Sequence, residues 1–230
     1  ALDLLLAMQG QSDIIEGFEI IPEASLDLVL KHIPGTRGPL ARNHRWHVLI
    51  EATSPDAAEP PGDELERMLG QALDRGRIED AALASSEAQA EAFWRIRDSI
   101  SEAERAAGGS IAHDISVPVA DMPRFMVAAA AEVERAFPGV EASAFGHLGD
   151  GNVHFHVRMG RSEAEASPIT RMVHDLVTAA GGSISAEHGI GQMKLEEFER
   201  LAPPGRIAAL RGIKHALDPH GLMNPGKLVR

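Results

Sequence analysis

The sequence predicts an α+β fold in which helices cover one face of a largely antiparallel sheet. Helix-like and strand-like segments alternate along the 230 residues, and 44% of these are hydrophobic, enough to form a sizeable core. Several neighbouring strands are joined by turns too short for the crossover that parallel strands require. No internal repeat or low-complexity tract interrupts the pattern. The chain is therefore expected to fold as one large domain, or as a domain with a subdomain.

In the first half of the chain, apolar residues three or four positions apart predict helices, and alternating apolar residues predict strands. Pro22 closes the first strand, and Pro34 with Gly35 stops the helix that follows it. The predicted helices are residues 2–8, 24–32, 63–75 and 86–107. The predicted strands are residues 17–21, 45–52, 77–84 and 110–119, with a loop rich in proline and acidic residues at 53–62.

In the second half, Asp121 is the predicted cap of a helix that runs to about Phe137, before Pro138 and Gly139 break it. The Gly-Asp-Gly-Asn sequence at 149–152 is a strong hairpin signal. It joins predicted strands at 141–147 and 153–159, and a short strand is predicted at 183–186. Helices are predicted at 168–180 and 204–217, and the second of these is a C-terminal helical segment.

Composition excludes several classes of protein. The formal net charge of -12 would repel a phosphate backbone, so nucleic acid is not an expected partner. The chain has no cysteine, which excludes disulfides and thiol chemistry and fits a reducing compartment, so a cytoplasmic location is expected. No apolar run approaches the roughly 20 residues that span a bilayer, so no transmembrane segment is expected. A bound metal would need His, Asp and Glu ligands.

Two glycine-bracketed turns carry the strongest chemical signal. His147 and His154 lie on either side of the first turn, and Glu187 and His188 are adjacent in the second. Taken alone, each histidine is more readily explained as an ordinary surface or core residue, but their combination favours a site. Two imidazoles and one carboxylate can hold a divalent metal and leave one side open for a substrate, which is a catalytic arrangement. Asp150 is assigned to the turn in preference to a ligand role.

A second signal lies in the long predicted helix. Arg97 and Ser101 are four residues apart, so a guanidinium and a hydroxyl could converge on a substrate carboxylate from one helical face. Most arginines on helices are exposed to solvent, and this alternative stays open for Arg97. The neighbouring Trp94 makes partial burial of Arg97 the more plausible alternative.

These residues belong to segments that match a known family in order. The segments are 94–98 (WRIRD), 113–118 (HDISVP), 147–154 (HLGDGNVH), 186–194 (AEHGIGQMK) and 218–227 (DPHGLMNPGK). Over residues 1–230 the chain resembles the C-terminal domain of FAD-linked oxidases of the vanillyl-alcohol-oxidase type. Within that family it is most similar to D-2-hydroxyglutarate and D-lactate dehydrogenases and to the glycolate oxidase flavin subunit.

The resemblance implies a ferredoxin-like antiparallel sheet that covers the flavin and builds the substrate site. It also implies that FAD is bound mainly by a separate N-terminal domain. This chain carries no dinucleotide-binding fingerprint, so Ala1 is expected to mark a cut within a longer protein. The implied reaction is oxidation of a small D-2-hydroxy acid to the 2-oxo acid, with an electron acceptor that is not identified, and a homodimer is considered.

The resemblance further implies roles for individual residues. His147, His154 and Glu187 would hold a divalent metal, zinc or manganese, and His188 would be the catalytic base. The implied substrate-binding residues are Arg97, Ser101 and His156, and the implied cofactor-binding residues are Asn224 and Lys227.

Two positions depart from the pattern of 2-hydroxyglutarate enzymes. Ala112 stands where those enzymes commonly have a lysine, and His156 where they commonly have an asparagine. Both positions contact substrate in that subgroup, so the departures leave the substrate open but not the reaction type. Two other functions stay open at this point: a self-contained metal-dependent hydrolase and a non-catalytic acidic binding module.

Overall fold

The protein, described by a computed structural model over residues 1–41, 44–55, 60–159 and 166–229, forms a five-stranded antiparallel sheet flanked by helices. The sheet has the order β2-β1-β4-β5-β3. Its strands are β1 (Ile15–Pro22), β2 (Trp46–Ala52), β3 (Ile111–Ser116), β4 (Val140–His147) and β5 (Asn152–Met159). The helices are α1 (Leu2–Gln9), α2 (Glu23–His32), α3 (Gly62–Asp74), α4 (Glu87–Asp98), α5 (Ile100–Ala106), α6 (Met122–Ala136), α7 (Ala166–Ala179), α8 (Leu195–Leu201) and α9 (Pro204–Leu217).

The predicted α+β class and the antiparallel sheet are confirmed. The run β3-α6-β4-β5-α7 is followed by a single antiparallel bridge between Ser183 and Ser116, so a one-residue fourth strand borders β3. This connectivity and order are those of a ferredoxin-like unit. β1 and β2 extend the sheet beyond β4.

Three predicted elements differ from the structure. Residues 77–84 form no strand in the part of the chain that the structure describes; the Asp80 side chain there accepts a hydrogen bond from the Ala81 amide. The predicted helix 86–107 is two helices that meet at Ser99, and both halves turn apolar residues toward one small core. The predicted strand at 183–186 is reduced to the bridge at Ser183, and helix α8 was not predicted.

The main core lies on one face of the sheet. Val153, Phe155 and Val157 alternate along β5 on that face, and all three are fully buried beneath α6 and α7. Removing a side chain as large as Phe155 from such a position typically costs about 3–5 kcal/mol. This face therefore supplies most of the apolar burial that holds the sheet in place.

Helices cover part of the other face as well, although helices on a single face were expected. Ile21 and Phe145 are apolar residues on the otherwise polar face, and they form a small second core with α2, α4 and α5. Because this core occupies only part of that face, His147 and His154 beside it remain partly exposed. The predicted loop 53–62 includes residues 56–59, which lie outside the described residues. None of the helices described is long and apolar enough to cross a membrane.

Candidate active site

The candidate site lies on the polar face, where β1, β4 and β5 run side by side. Strand pairing places Glu19 of β1 opposite His147 at the end of β4. The hairpin turn returns the chain so that His154 of β5 lies beside His147, with ring centroids 5.5 Å apart. Asp150 shapes this turn by accepting a hydrogen bond from the Asn152 amide at 2.9 Å, as its assignment to the turn predicts.

Arg97 of α4 reaches into the middle of this group. Its Nε donates to Glu19 Oε2 at 2.8 Å, and its Nη2 lies 2.8 Å from His147 Nε2 and 3.5 Å from His154 Nε2. A guanidinium has donors only, so both imidazole Nε2 atoms must present lone pairs to it. Two histidine lone pairs therefore face the same positively charged group.

The charges of this group depend on one another. Burial alone would raise the pKa of Glu19, but hydrogen bonds from His147 and the nearby Arg97 lower it overall. The hydrogen bond to Glu19 raises the pKa of His147, against the effect of burial. Burial lowers the pKa of His154, and Arg97 and His147 lower it further. His154 is consequently held as a neutral imidazole, the form that binds a metal.

The second turn is held over the site by Asp114 of β3. Its Oδ2 accepts hydrogen bonds from the backbone amides of Glu187 and His188, at 2.9 and 3.0 Å. The same oxygen lies 3.4 Å from Nδ1 of His188. Burial would raise the pKa of Asp114, but the two amide donors lower it, so this carboxylate stays charged beneath the turn. Glu187 and His188 themselves are largely exposed.

The side chains proposed as metal ligands lie near one another, but they are not arranged at ligating distances. Glu187 Oε1 lies 3.9 Å from His147 Nε2, on the side of the two histidines. Among the residues the structure describes, no group of three or more His, Asp or Glu is arranged at ligating distances. The Arg97 guanidinium lies where the two lone pairs point, so a metal bound by them would take the place of its Nη2. Two imidazoles and a carboxylate are a donor set that suits zinc or manganese.

The predicted substrate-binding residues His156, Ser101 and Arg97 have different surroundings. His156 is on the polar face next to His154; it is nearly buried, its Nδ1 has no hydrogen-bond partner among the described residues, and burial lowers its pKa to about 4. Ala112 pairs with it across β3 and β5. Ser101 lies on the exposed surface of α5, beyond the break at Ser99, and Arg97 lies on α4 before that break. Binding of a substrate carboxylate by both Arg97 and Ser101 stays a prediction.

The predicted cofactor residues lie in the C-terminal tail. Asn224 has a positive φ of 46° and, like Lys227, is exposed. The tail is shaped by Asp218, whose carboxylate accepts hydrogen bonds from the Leu222 and Met223 amides. The end of the tail returns to the second glycine turn, where the Leu228 amide donates to the Gly191 carbonyl oxygen at 3.1 Å and Val229 is buried.

Two residues that hold the site together were missed by sequence reasoning. Glu19 is a charged residue between Phe18 and Ile20 in a strand, which is a signal that could have been used, because a fully buried carboxylate needs partners. Asp114 lies between His113 and Ile115 in a strand, and it offered the same signal. Their partners are 128 and 73 residues distant in the chain, so only the fold could reveal them.

The fold and this site together define an α+β domain with a cation-attracting cluster of histidines and carboxylates on one sheet face. The family described as "FAD linked oxidases, C-terminal domain" matches residues 1–228. The chain belongs to this family. Membership favours flavin-dependent oxidation over a self-contained metal-dependent hydrolase or a non-catalytic acidic module.

Individual relatives agree with this family. The chain is 33% identical over 227 residues to a mitochondrial D-2-hydroxyglutarate dehydrogenase of Arabidopsis thaliana, covering 98% of the chain and 40% of the relative. It is 35% identical over 225 residues to a D-2-hydroxyglutarate dehydrogenase of Xanthomonas citri, covering 93% of the chain and 46% of the relative. A D-2-hydroxyglutarate–pyruvate transhydrogenase of Saccharomyces cerevisiae is 27% identical over 226 residues, covering 95% and 45%. The chain thus spans less than half the length of these relatives.

Proposed function

We propose that this chain is the substrate-binding part of a flavin-dependent dehydrogenase that oxidises a D-2-hydroxy acid to its 2-oxo acid. The observation that carries the proposal is the convergence of His147, His154 and Arg97 on one point of the polar face, with Glu187 and His188 held beside it. The relatives, which are named for D-2-hydroxyglutarate chemistry, support the same reaction class.

Two cofactors would supply chemistry that the side chains of this chain lack. FAD, when bound, supplies the acceptor for the hydride that leaves C2 of the substrate. A divalent metal held by His147, His154 and Glu187 would supply Lewis acidity toward the hydroxyl. The chain's own residues bind and orient the acid and remove its hydroxyl proton.

Arg97 is the group that fits the substrate carboxylate. It is half-buried beside Phe145, and a guanidinium binds a carboxylate through two parallel hydrogen bonds. Its Nε is already held by Glu19, so a bound acid would engage the remaining donors and be fixed in one orientation.

His188 is the group that fits the base. Its Nδ1 faces Asp114, so a proton on Nδ1 is favoured and the lone pair of Nε2 is left for the substrate hydroxyl. The exposure of the ring agrees with a reaction that takes place at the open side of this face.

The substrate side chain would lie against the wall formed by Ala112 and His156. Ala112 is exposed, and the ring of His156 is neutral near pH 7 because burial lowers its pKa to about 4. Neither residue offers a cation to a second carboxylate. We therefore favour a D-2-hydroxy acid with a short or uncharged side chain.

The C-terminal region would contact the flavin-binding part. Helix α9 buries none of its residues, and large apolar side chains there and in the tail are exposed. These are Ile213, Leu217, Leu222, Met223 and Leu228. Asn224 and Lys227 lie in the same tail and would approach the cofactor. We also propose a cytoplasmic location, which a chain without cysteine supports.

Flavin reduction in the full-length protein tests this proposal. Mixed anaerobically with a panel of D- and L-2-hydroxy acids, the flavin should be bleached by at least one D-acid, and the matching L-acid should leave it oxidised. In parallel, the 230-residue chain should bind Zn²⁺ or Mn²⁺ in a calorimetric titration, and His154→Ala should weaken that binding by at least about tenfold. A full-length protein that binds neither metal and whose flavin no hydroxy acid reduces would contradict the proposal.

A further inference from the structure

The buried carboxylate Glu19 links the two halves of the candidate site. We propose that Glu19 is a positioning residue that fixes His147 in the Nδ1-protonated tautomer, so that the lone pair of Nε2, which here faces Nη2 of Arg97, can serve a metal, while Glu19 also holds Nε of Arg97 beside the substrate position. This inference rests on the proposed function, because it assigns Glu19 a task toward the metal and the acid that function requires.

The geometry places one oxygen of Glu19 on each partner. Oε1 lies 2.5 Å from Nδ1 of His147, and Oε2 accepts from Nε of Arg97 at 2.8 Å. The side chain is only 4% exposed, so it cannot turn to solvent and must satisfy both oxygens within the protein. The pairing of Glu19 with His147 across β1 and β4 holds the carboxylate and the ring side by side.

The tautomer of His147 follows from its second contact. Nε2 of the ring lies 2.8 Å from Nη2 of Arg97, a group that can only donate, so Nε2 must accept. In the neutral ring the proton is then on Nδ1, which donates to Glu19. A carboxylate that accepts from the far nitrogen of a histidine fixes the orientation of a metal-binding ring and increases the basicity of the other nitrogen.

A purely structural ion pair between Glu19 and Arg97 is the competing explanation. Such a pair would stabilise the packing of α4 on β1 but would have no effect on the affinity of His147 for a metal. The two explanations therefore differ in a quantity that can be measured without catalysis, namely the dissociation constant for Zn²⁺.

The test compares Zn²⁺ binding by three forms of the 230-residue chain, which has its own buried core. Glu19→Gln is expected to raise the dissociation constant for Zn²⁺ by about 10- to 100-fold. Glu16→Gln removes the same charge from an exposed position of the same strand and should leave the constant unchanged. Equal affinities of the wild type and Glu19→Gln would overturn the inference.

Nuclear magnetic resonance of the wild type gives a readout that does not depend on the variant folding. Long-range ¹H–¹⁵N spectra of the histidine rings, recorded without metal above the titration of the ring, should show His147 protonated at Nδ1. A ring protonated at Nε2 would overturn the inference even if Glu19→Gln fails to fold. If the wild type itself binds no metal while its His147 has the expected tautomer, the metal part of the proposed function fails and the link between Glu19 and His147 remains.

Discussion

At the scale of single residues, the candidate site depends on carboxylates that face inward. Asp114 is almost completely buried, yet it stays charged because two backbone amides and the ring of His188 face its Oδ2. A buried charge without such partners would cost several kcal/mol. The Glu187–His188 turn is therefore fixed by β3, while its two side chains remain largely exposed.

The base role proposed for His188 gives a prediction at this scale. In the full-length protein, His188→Ala should lower kcat by at least about 100-fold, the usual contribution of a positioned general base. Binding of Zn²⁺ should be retained, because the residues assigned to the metal are His147, His154 and Glu187. The measurement is steady-state turnover alongside a calorimetric titration. Turnover close to that of the wild type would remove His188 from the mechanism.

The residue scale also shows what the sequence could reveal about the site. Glycine turns and histidine spacing identified His147 and His154, because neighbours across a hairpin are encoded by a few adjacent residues. Arg97 was identified from a helix but without its partners. Glu19 was missed, because its contact with His147 exists only once β1 pairs with β4.

At the scale of elements, the β4–β5 turn fits tightly against the end of β3. Gly151 has a positive φ of 81°, and a Cβ atom added there would lie 2.1 Å from the carbonyl oxygen of Val117. In the same turn Gly149 has open space around the corresponding position. The two glycines thus have different roles, although both belong to the same hairpin signal in the sequence.

This difference is testable in the chain alone. Gly151→Ala should lower the free energy of unfolding by at least about 2 kcal/mol, because both the backbone conformation and the contact with Val117 become strained. Gly149→Ala, as the matched control, should change it by less than about 0.5 kcal/mol. Urea denaturation monitored by circular dichroism provides both values. Similar stabilities of the two variants would show that the turn can relax around an added methyl group.

Helices and strands whose sequence pattern is strong over a few neighbouring residues were predicted correctly. Those that depend on contacts with distant parts of the chain were not. The hairpin of β4 and β5 and helix α9 agree with the pattern of apolar residues and turn formers. Residues 77–84 have the composition of a strand but do not join the sheet, and a strand needs a partner for its backbone hydrogen bonds. The break at Ser99 likewise arises from packing, because α4 and α5 must both face the small second core.

At the scale of the whole molecule, the two faces of the sheet carry different groups of residues. One face carries the main core, and the other carries the polar site beside a small second core. Polar residues also lie inside the main core, and His113 is the clearest case. It is nearly buried, and its two nitrogens contact the Phe155 carbonyl oxygen and the Thr170 hydroxyl, both at 3.1 Å.

Acid should destabilise the fold partly through His113. Burial, with smaller effects from His174, His156 and Lys194, lowers its pKa from 6.5 to about 4. Between these two values the unfolded chain binds a proton that the folded chain excludes, so stability falls as the pH falls through this window. From about pH 6.5 to about pH 5 the loss from this residue should be roughly 1.5 kcal/mol.

Urea denaturation at several pH values measures this loss. His113→Gln should be less stable than the wild type near neutral pH, since its packing and hydrogen bonds change, but its stability should fall less steeply between about pH 6.5 and about pH 5. The slope of stability against pH is the decisive quantity. Parallel curves for the two proteins would mean that His113 does not exclude a proton in the folded state.

The sequence by itself determined the α+β class, the hairpin that carries His147 and His154, and the family of the chain. These depend on local patterns, namely alternation, turn residues and short motifs, which are readable from neighbouring residues. Only the tertiary structure decided that Glu19 and Asp114 hold the site, that Arg97 contacts both histidines, and that helices pack on both faces of the sheet. Contacts between residues far apart in the chain exist only after strands pair and a core forms. The site is therefore assembled only when the chain is folded.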